Sequence, residues 1–450
     1  MSTPLTVSED ELVLLTDLYQ LTMTQAYWKE AMAERATFSL FFRRLPPTRR
    51  FMLACGQQHA AALIPRLRFG EAELAQLAAT GLFEAAFLDW LGEWRFSGEI
   101  RTLPEGTPVF ADEPLLEVDA PIAEAQLLES LLMNLVQLET LLASKAVRLV
   151  IAARGRPVVD FGLRRMHGID AAVRGVRAYR SAGLEGTSNV LGGLRHDLPL
   201  RGTMAHSYIL AHDAEAEAFA AFARHYPNTT LLVDTHDTLA GVDQVIALLA
   251  AEPELSVAAI RLDSGDLGAL ARGARRRLDA AGHGDVKIIA SSGLDEWQIA
   301  DLVAEGAPID GFGVGTQLGV SADAPVIDLS YKLVAYAGRP RVKHSPGKIN
   351  LPGPKQVYRR RDAEGRPIGD TLARHDETGI EGEPLLVPLV RDGRIDDALM
   401  TLADSARERV TAALAALPGP LRRLEPRAGP EDDYPVTLSP GLARLRRKVG

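Results

Sequence analysis

The chain has 450 residues, 46% of them hydrophobic, which is enough for two or three domains with substantial cores and far from the composition of a disordered chain. A net charge of −9 argues against a phosphate-backbone partner, whose binding depends on Lys and Arg, so nucleic acid is not expected. The single cysteine, Cys55, excludes an intramolecular disulfide and a cysteine-based zinc site, and it suits a reducing, cytoplasmic compartment.

Met1 to Glu11 is acidic and lacks the apolar core of a secretory signal, and no later run approaches the roughly 18 apolar residues of a membrane span. Leu12 to Ala31 has apolar residues at helical spacing (Leu14, Leu15, Leu18, Leu21), predicting a helix capped around Thr16 or Asp17. Thr37 to Arg44 alternates through Phe38, Leu40 and Phe42, predicting a strand that ends in Arg43 and Arg44 before Pro46 and Pro47. Helical segments follow through Trp90, and Glu99 to Val118 has the short apolar pieces and Pro/Gly punctuation of a small β element. From Ile122 to Ala153 leucines recur at three- and four-residue spacings, predicting a helix at a domain junction.

Beyond that helix the runs Val158 to Phe161, Thr230 to Val233, Val257 to Leu262, Lys287 to Ala290 and Ile309 to Gly313 read as buried parallel strands. Asp266 to Ala281 and Glu296 to Glu305, the latter capped by Asp295, read as intervening helices. Asp234, Asp263, Ser292 and Gly315 follow four of the runs at separations of 29, 29 and 23 positions, the length of a βα unit. In α/β barrels functional residues collect at the C-terminal ends of strands, so one shared site is expected there; the alternative is that these residues only cap helices and form turns. Past Tyr331 to Tyr336 the chain becomes Pro- and Gly-rich (Pro340, Pro346, Gly347, Pro354). Residues 361 to 400 read as β pieces, 401 to 417 as an amphipathic helix, and 418 to 450 as a loosely packed Pro/Arg-rich tail.

Three stretches carry recognisable chemistry. Arg261 and Asp263, two apart at a strand end, point to the same side: a guanidinium can fork onto a carboxylate, and an aspartate can accept from ribose hydroxyls, unless the two simply pair with each other. Gly311 to Thr316, with Ser291-Ser292-Gly293 upstream, offers backbone N–H groups to a phosphate. Phe161 at a strand end, followed by Arg164 and Arg165, is either core or a face on which a flat heterocycle stacks. His206, between small and hydroxyl residues in Gly202 to Ser207, is the candidate reactive group, although a lone histidine is more often structural.

The strings Leu15 to Met23, Phe161 to Arg165, Gly186 to Val190, Gly202 to Ser207, Arg261 to Asp266, Ser292 to Asp295 and Gly313 to Thr316 run collinearly over about residues 12 to 358. Together they resemble the nicotinate phosphoribosyltransferase family, which are type II phosphoribosyltransferases. The resemblance implies an irregular or incomplete, TIM-like α/β barrel over 126–336. A second α/β domain would be built from 1–125 and completed by 337–400, with 401–450 as a C-terminal helix and tail. It also implies a homodimer with shared active sites.

The activity implied is condensation of nicotinate with 5-phosphoribosyl 1-diphosphate to nicotinate mononucleotide and diphosphate, a step of NAD biosynthesis. ATP hydrolysis would be coupled to it through a phosphohistidine, and Mg²⁺ would be bound through the substrate phosphates, with no protein ligand assigned. On this resemblance His206 is the phosphorylated histidine and Asp234 orients it; Tyr19, donated across the dimer, and Phe161 sandwich the pyridine. Arg261 and Thr203 hold the nicotinate carboxylate. Asp263 takes the ribose hydroxyls, and Ser292, Gly293, Gly315 and Thr316 line the 5′-phosphate. Arg164, Arg43 and Lys332 neutralise the diphosphate, with Ser321 a further phosphate contact. Related nicotinamide enzymes carry an aspartate where this chain has Ser188, and a carboxylate there would repel nicotinate. The alternatives are a nicotinamide or quinolinate phosphoribosyltransferase, or a homologue that binds phosphoribosyl ligands without turnover.

Overall fold

The structure is a computed structural model that describes residues 7–343, 350–396, 405–429 and 432–449. Pro346 and Gly347 of the Pro/Gly-rich stretch, the end of the 361–400 β region and the start of the 401–417 helix lie outside the described residues. The chain divides into two compact units, one formed by Met1–Ala143 with Val326–Gly450 and the other by Ser144–Pro325. The first division falls inside the helix Glu129–Ala153, later than the junction at 125/126 read from the sequence. Leucine periodicity is continuous through that helix, so nothing in the sequence marks the change of unit.

In the first unit the alternating segment forms the strand Arg35–Phe42, whose residues from Ala36 onward are all buried. It lies between Leu329–Tyr336 and Pro114–Pro121 in a seven-stranded sheet whose pairings are antiparallel. The last hundred residues are integral to this unit. Lys355–Arg361 and Pro367–Arg374 form a hairpin in a four-stranded sheet, and Val436–Leu438 joins it alongside Pro367–Arg374. The tail therefore does not pack loosely: Leu421, Tyr434 and Leu442 are buried, and the Tyr434 hydroxyl donates to Asp370 at 2.9 Å. These anchors are too widely spaced to form a local pattern, which hides them in the sequence. At the N-terminus the helix is Leu18–Lys29, with Asp17 at its cap position. Asp17 caps no backbone N–H there and accepts instead from the Ser130 hydroxyl at 2.6 Å.

The second unit is built on a six-stranded parallel sheet in the order Gly186–Thr187, Val158–Asp160, Gly311–Val314, Lys287–Ala290, Val257–Leu262, Thr229–Leu232. Its two edge strands do not pair with one another, so the barrel is incomplete. Five of the strands match the apolar runs within a residue or two; Gly186–Thr187 is too short to leave a periodic signal. Asp237, Asp266 and Asp295 accept from backbone N–H groups as caps of the helices that follow their strands. Asp234 and Asp263 are therefore free of capping duty, and both stand where the strands end.

Candidate active site

The parallel register aligns the strand ends. Asp160 is paired with Thr187 and with Val314, and Ala290 with both Leu262 and Phe312, so the residues that follow emerge along one edge of the sheet. A cavity of about 530 Å³ opens at that edge, lined by Phe161, Arg164, Ser188, Leu200, Thr203 and Arg261, among others. The Phe161 ring packs against Gly313, where any Cβ would collide with it. The Arg261 guanidinium lies 5.6 Å from the ring centroid. Arg261 donates to the Thr203 hydroxyl at 2.8 Å and to Asp263 Oδ2 at 3.3 Å, while its Nε is buried without a partner. Thr203 reaches this place because the preceding segment adds to the sheet edge: Thr187 N–H donates to Pro199 O, and Arg201 N–H to Thr187 O.

His206 begins the short helix His206–Leu210, and its side chain is 42% exposed. Its Nδ1 is 3.1 Å from the Thr235 hydroxyl, and its Nε2 lies 3.9 Å from Asp263 Oδ2. The expected Asp234 partner is not made. Asp234 Oδ2 accepts instead from the Asp263 N–H at 2.9 Å and the Ser264 hydroxyl at 2.6 Å, which ties the second strand-end loop to its own. The physical reason is alternation: Asp234 and Thr235 are neighbours in a loop, and only the second turns toward the imidazole. Asp234 is 8% exposed, and its Oδ1 is buried without a partner.

Asp263 Oδ1 accepts from the Ser291 hydroxyl, leaving Ser292 and Gly293 exposed beyond it in left-handed conformations with φ of 99° and 63°. Gly315 precedes the one-turn helix Thr316–Gly319, with Thr316 exposed at its first position. Ser321 is fully buried, and its hydroxyl donates to Ala324 O at 2.9 Å within its own loop. Tyr19, Arg43 and Lys332 belong to the first unit. There Tyr19 is exposed in the first turn of Leu18–Lys29, Arg43 donates to the Ser330 hydroxyl, and Lys332 pairs in register with Ser39. Thr235 and the hydroxyl contacts of Ser264 and Ser291 are not legible in the sequence, because each acts across neighbouring strands and hydroxyl residues are common in such loops.

The family model for the nicotinate phosphoribosyltransferase N-terminal domain matches residues 14–137, and that for the nicotinate phosphoribosyltransferase family matches residues 157–338. A nicotinate phosphoribosyltransferase of Mycobacterium tuberculosis is 50% identical over 438 residues, covering 96% of this chain and 94% of its own. One from Bacillus subtilis is 38% identical over 379 residues, covering 82% and 77%. The crystal structure of human nicotinic acid phosphoribosyltransferase superposes with a TM-score of 0.84 at 28% identity, covering 97% of this chain and 100% of that one.

Proposed function

The chain belongs to the nicotinate phosphoribosyltransferase family, enzymes of NAD biosynthesis, and from that premise we propose that it condenses nicotinate with 5-phosphoribosyl 1-diphosphate in the cavity beside Phe161 and Arg261. The observation that carries this placement is the Arg261 guanidinium over the Phe161 ring with its Nε buried and unpartnered. A flat ring bearing a carboxylate suits this pair: it stacks on the phenyl group and presents an anion to the guanidinium and to Thr203. Ser188 on the cavity wall adds no negative charge to oppose that anion, which favours the acid over its amide.

The pyridine nitrogen is the nucleophile. It attacks C1 of the ribose as the C1–O bond to diphosphate breaks, and the electron pair leaves with the diphosphate, so no general base is required. The protein's contribution is to hold the two reactants in line. Asp263 retains acceptor capacity for a ribose hydroxyl, and Gly293, Ser292, Gly315 and Thr316 form the exposed loops suited to the 5′-phosphate, with Arg164 on the cavity wall for the diphosphate.

Among the described residues no group of three or more His, Cys, Asp or Glu side chains is arranged to hold a metal. The acidic oxygens at hand are those of Asp263 and the unpartnered Oδ1 of Asp234, which fits a Mg²⁺ bound chiefly by diphosphate oxygens and water. When bound, that ion neutralises the leaving diphosphate.

His206 is the acceptor of the ATP γ-phosphoryl group in this reading: the P–O bond to ADP breaks as a P–N bond forms. The added charge tightens the site for the ribosyl donor, and hydrolysis resets it. Its exposure and its Nδ1 tether to Thr235 support that role. A homodimer is supported by apolar side chains left in solvent: Leu18 and Tyr19 in the first unit, and Val190, Leu191 and Leu194 in the second, Leu194 being 72% exposed. A cytoplasmic location is supported by the count of one cysteine, which rules out a disulfide within the chain. Among the described residues no helix is long and apolar enough to cross a membrane.

One assay tests the whole reading. Nicotinate, nicotinamide and quinolinate are offered separately with the ribosyl donor, with and without ATP, and diphosphate and ADP are measured. Nicotinate should be used in strong preference, with ADP formed alongside product. Preference for either other pyridine, or ligand binding without diphosphate release, would overturn it.

A further inference from the structure

Asp160 ends the strand Val158–Asp160 directly before Phe161, is almost fully buried, and is not part of the cavity wall. Its Oδ1 accepts from the Gly162 N–H at 2.7 Å, within its own loop. Its Oδ2 accepts from the Thr187 hydroxyl, also at 2.7 Å, and its backbone carbonyl accepts from the Ser188 N–H at 2.8 Å. Thr187 passes the connection on, because the same hydroxyl oxygen accepts from the Asn189 N–H at 3.0 Å. One residue thus fastens the loop that carries Phe161 and Arg164 to the neighbouring loop that carries Ser188.

These loops belong to the two outermost strands on one side of an open sheet, and the edge strand Gly186–Thr187 has only two residues. Backbone pairing that short, with a single bridge from Thr187 to Leu200 on its outer side, holds the loop beyond it weakly, and the side-chain clamp adds to that hold. Burial pushes the Asp160 carboxyl up from its usual range, and the Thr187 hydroxyl and Gly162 N–H oppose that shift. A carboxylate is costly at this depth unless its oxygens are taken, and two of its bonds come from the elements it joins.

We propose that Asp160, acting through Thr187, is a positioning residue that sets the spacing between Phe161 and Ser188 and thereby the preference for a pyridine carboxylate over a pyridine carboxamide. The inference rests on the placement of nicotinate in this cavity, so the wild-type protein is assayed first. A wild type that does not use nicotinate sinks the functional reading itself; an active wild type leaves the variants to test Asp160 alone.

Two variants open the clamp differently. Thr187→Val keeps the shape and removes the hydroxyl. Asp160→Asn keeps the acceptor for Gly162 but turns an amide toward Thr187, whose hydroxyl proton then loses its acceptor. Displacements of an ångström at a reacting ligand cost up to about a hundredfold. Each variant should therefore raise the KM for nicotinate by about tenfold or more, with a smaller change in the KM for the ribosyl donor. Each should also lower the ratio of kcat/KM for nicotinate over nicotinamide by about tenfold. Thr187→Ser, which restores the hydroxyl, should recover the nicotinate KM and the ratio, which general loosening of the fold would not produce. If either Thr187→Val or Asp160→Asn melts like the wild type and keeps the wild-type ratio and nicotinate KM, the proposal is overturned. It is equally overturned if Thr187→Ser is as impaired as Thr187→Val.

Discussion

The imidazole of His206 is tethered at Nδ1 by the Thr235 hydroxyl and turns Nε2 toward Asp263 at 3.9 Å. A ring held at one nitrogen directs the other, which is what a phosphoryl acceptor needs and a purely structural histidine does not. His206→Ala should uncouple the reaction: ADP no longer forms in step with diphosphate, and a slower ATP-independent condensation remains. Coupling of this kind is typically worth about 1–3 kcal/mol, so use of the ribosyl donor should weaken by about 5–150-fold. Stoichiometric ATP hydrolysis surviving in the variant would show that the phosphoryl group goes elsewhere. A second residue-scale prediction concerns Glu113 in the first unit. Burial, and then the Asp370 carboxylate beside it, raise its pKa well above 4.5. Below the unfolded value neither state loses a proton; above it the unfolded chain ionises first, so this group's contribution to stability falls as pH rises toward the folded pKa. Glu113→Gln cannot ionise. Its melting temperature should therefore gain on the wild type progressively as pH is raised above about 4.5. A melting-temperature difference that stays constant with pH would contradict this.

At the scale of elements, the second unit is braced by a buried ionic cluster on the part of the helix Glu129–Ala153 that lies in it. Lys145 bonds Glu296 and, at 2.9 Å, Asp323, while Arg148 donates to Glu296 at 2.7 Å; Lys145 and Glu296 are fully buried. Glu296 opens the helix after Ser292 and Gly293, and Asp323 lies just after Ser321, so the cluster joins two of the strand-end loops. Lys145→Met keeps the volume but leaves two buried carboxylates with less than their full complement of cations, a loss of about 3–5 kcal/mol. Chemical denaturation should show it as a lower midpoint, and a change under about 1 kcal/mol would mean the carboxylates are satisfied without the lysine. This cluster is invisible in the sequence because Glu296 lies 151 positions from Lys145 and 148 from Arg148, and a lysine in a leucine-rich helix reads as a solvated one. The strands, by contrast, were legible, since each carries its apolar run locally and Asp234, Asp263, Ser292 and Gly315 recur after them at the length of a unit. What the spacing does not encode is how hydroxyls reach across from one strand end to the next. For that reason Thr235 and not Asp234 meets His206, and Ser321 turns inward to Ala324.

At the scale of the whole molecule, the resemblance gave Tyr19 a place in the active site of a second copy, and the surfaces of both units bear on that proposal. Tyr19 is 46% exposed on Leu18–Lys29, with Leu18 exposed beside it; Val190, Leu191 and Leu194 are exposed on Val190–His196, which begins two residues after Ser188. Apolar side chains grouped in this way cost less when covered, which a second copy of the chain would do in the proposed dimer. If each site takes Tyr19 from one copy and His206 from the other, two defective variants can repair one another. A dimer containing one Tyr19→Ala chain and one His206→Ala chain has one site with both lesions and one with neither. Co-expression in equal amounts should then restore ATP-coupled turnover, at limiting nicotinate, to about a quarter of the wild-type value per chain, because random pairing makes half the dimers mixed and half of their sites intact. Sites complete within one chain predict no such recovery, and the mixture would show only the mean of its two parents.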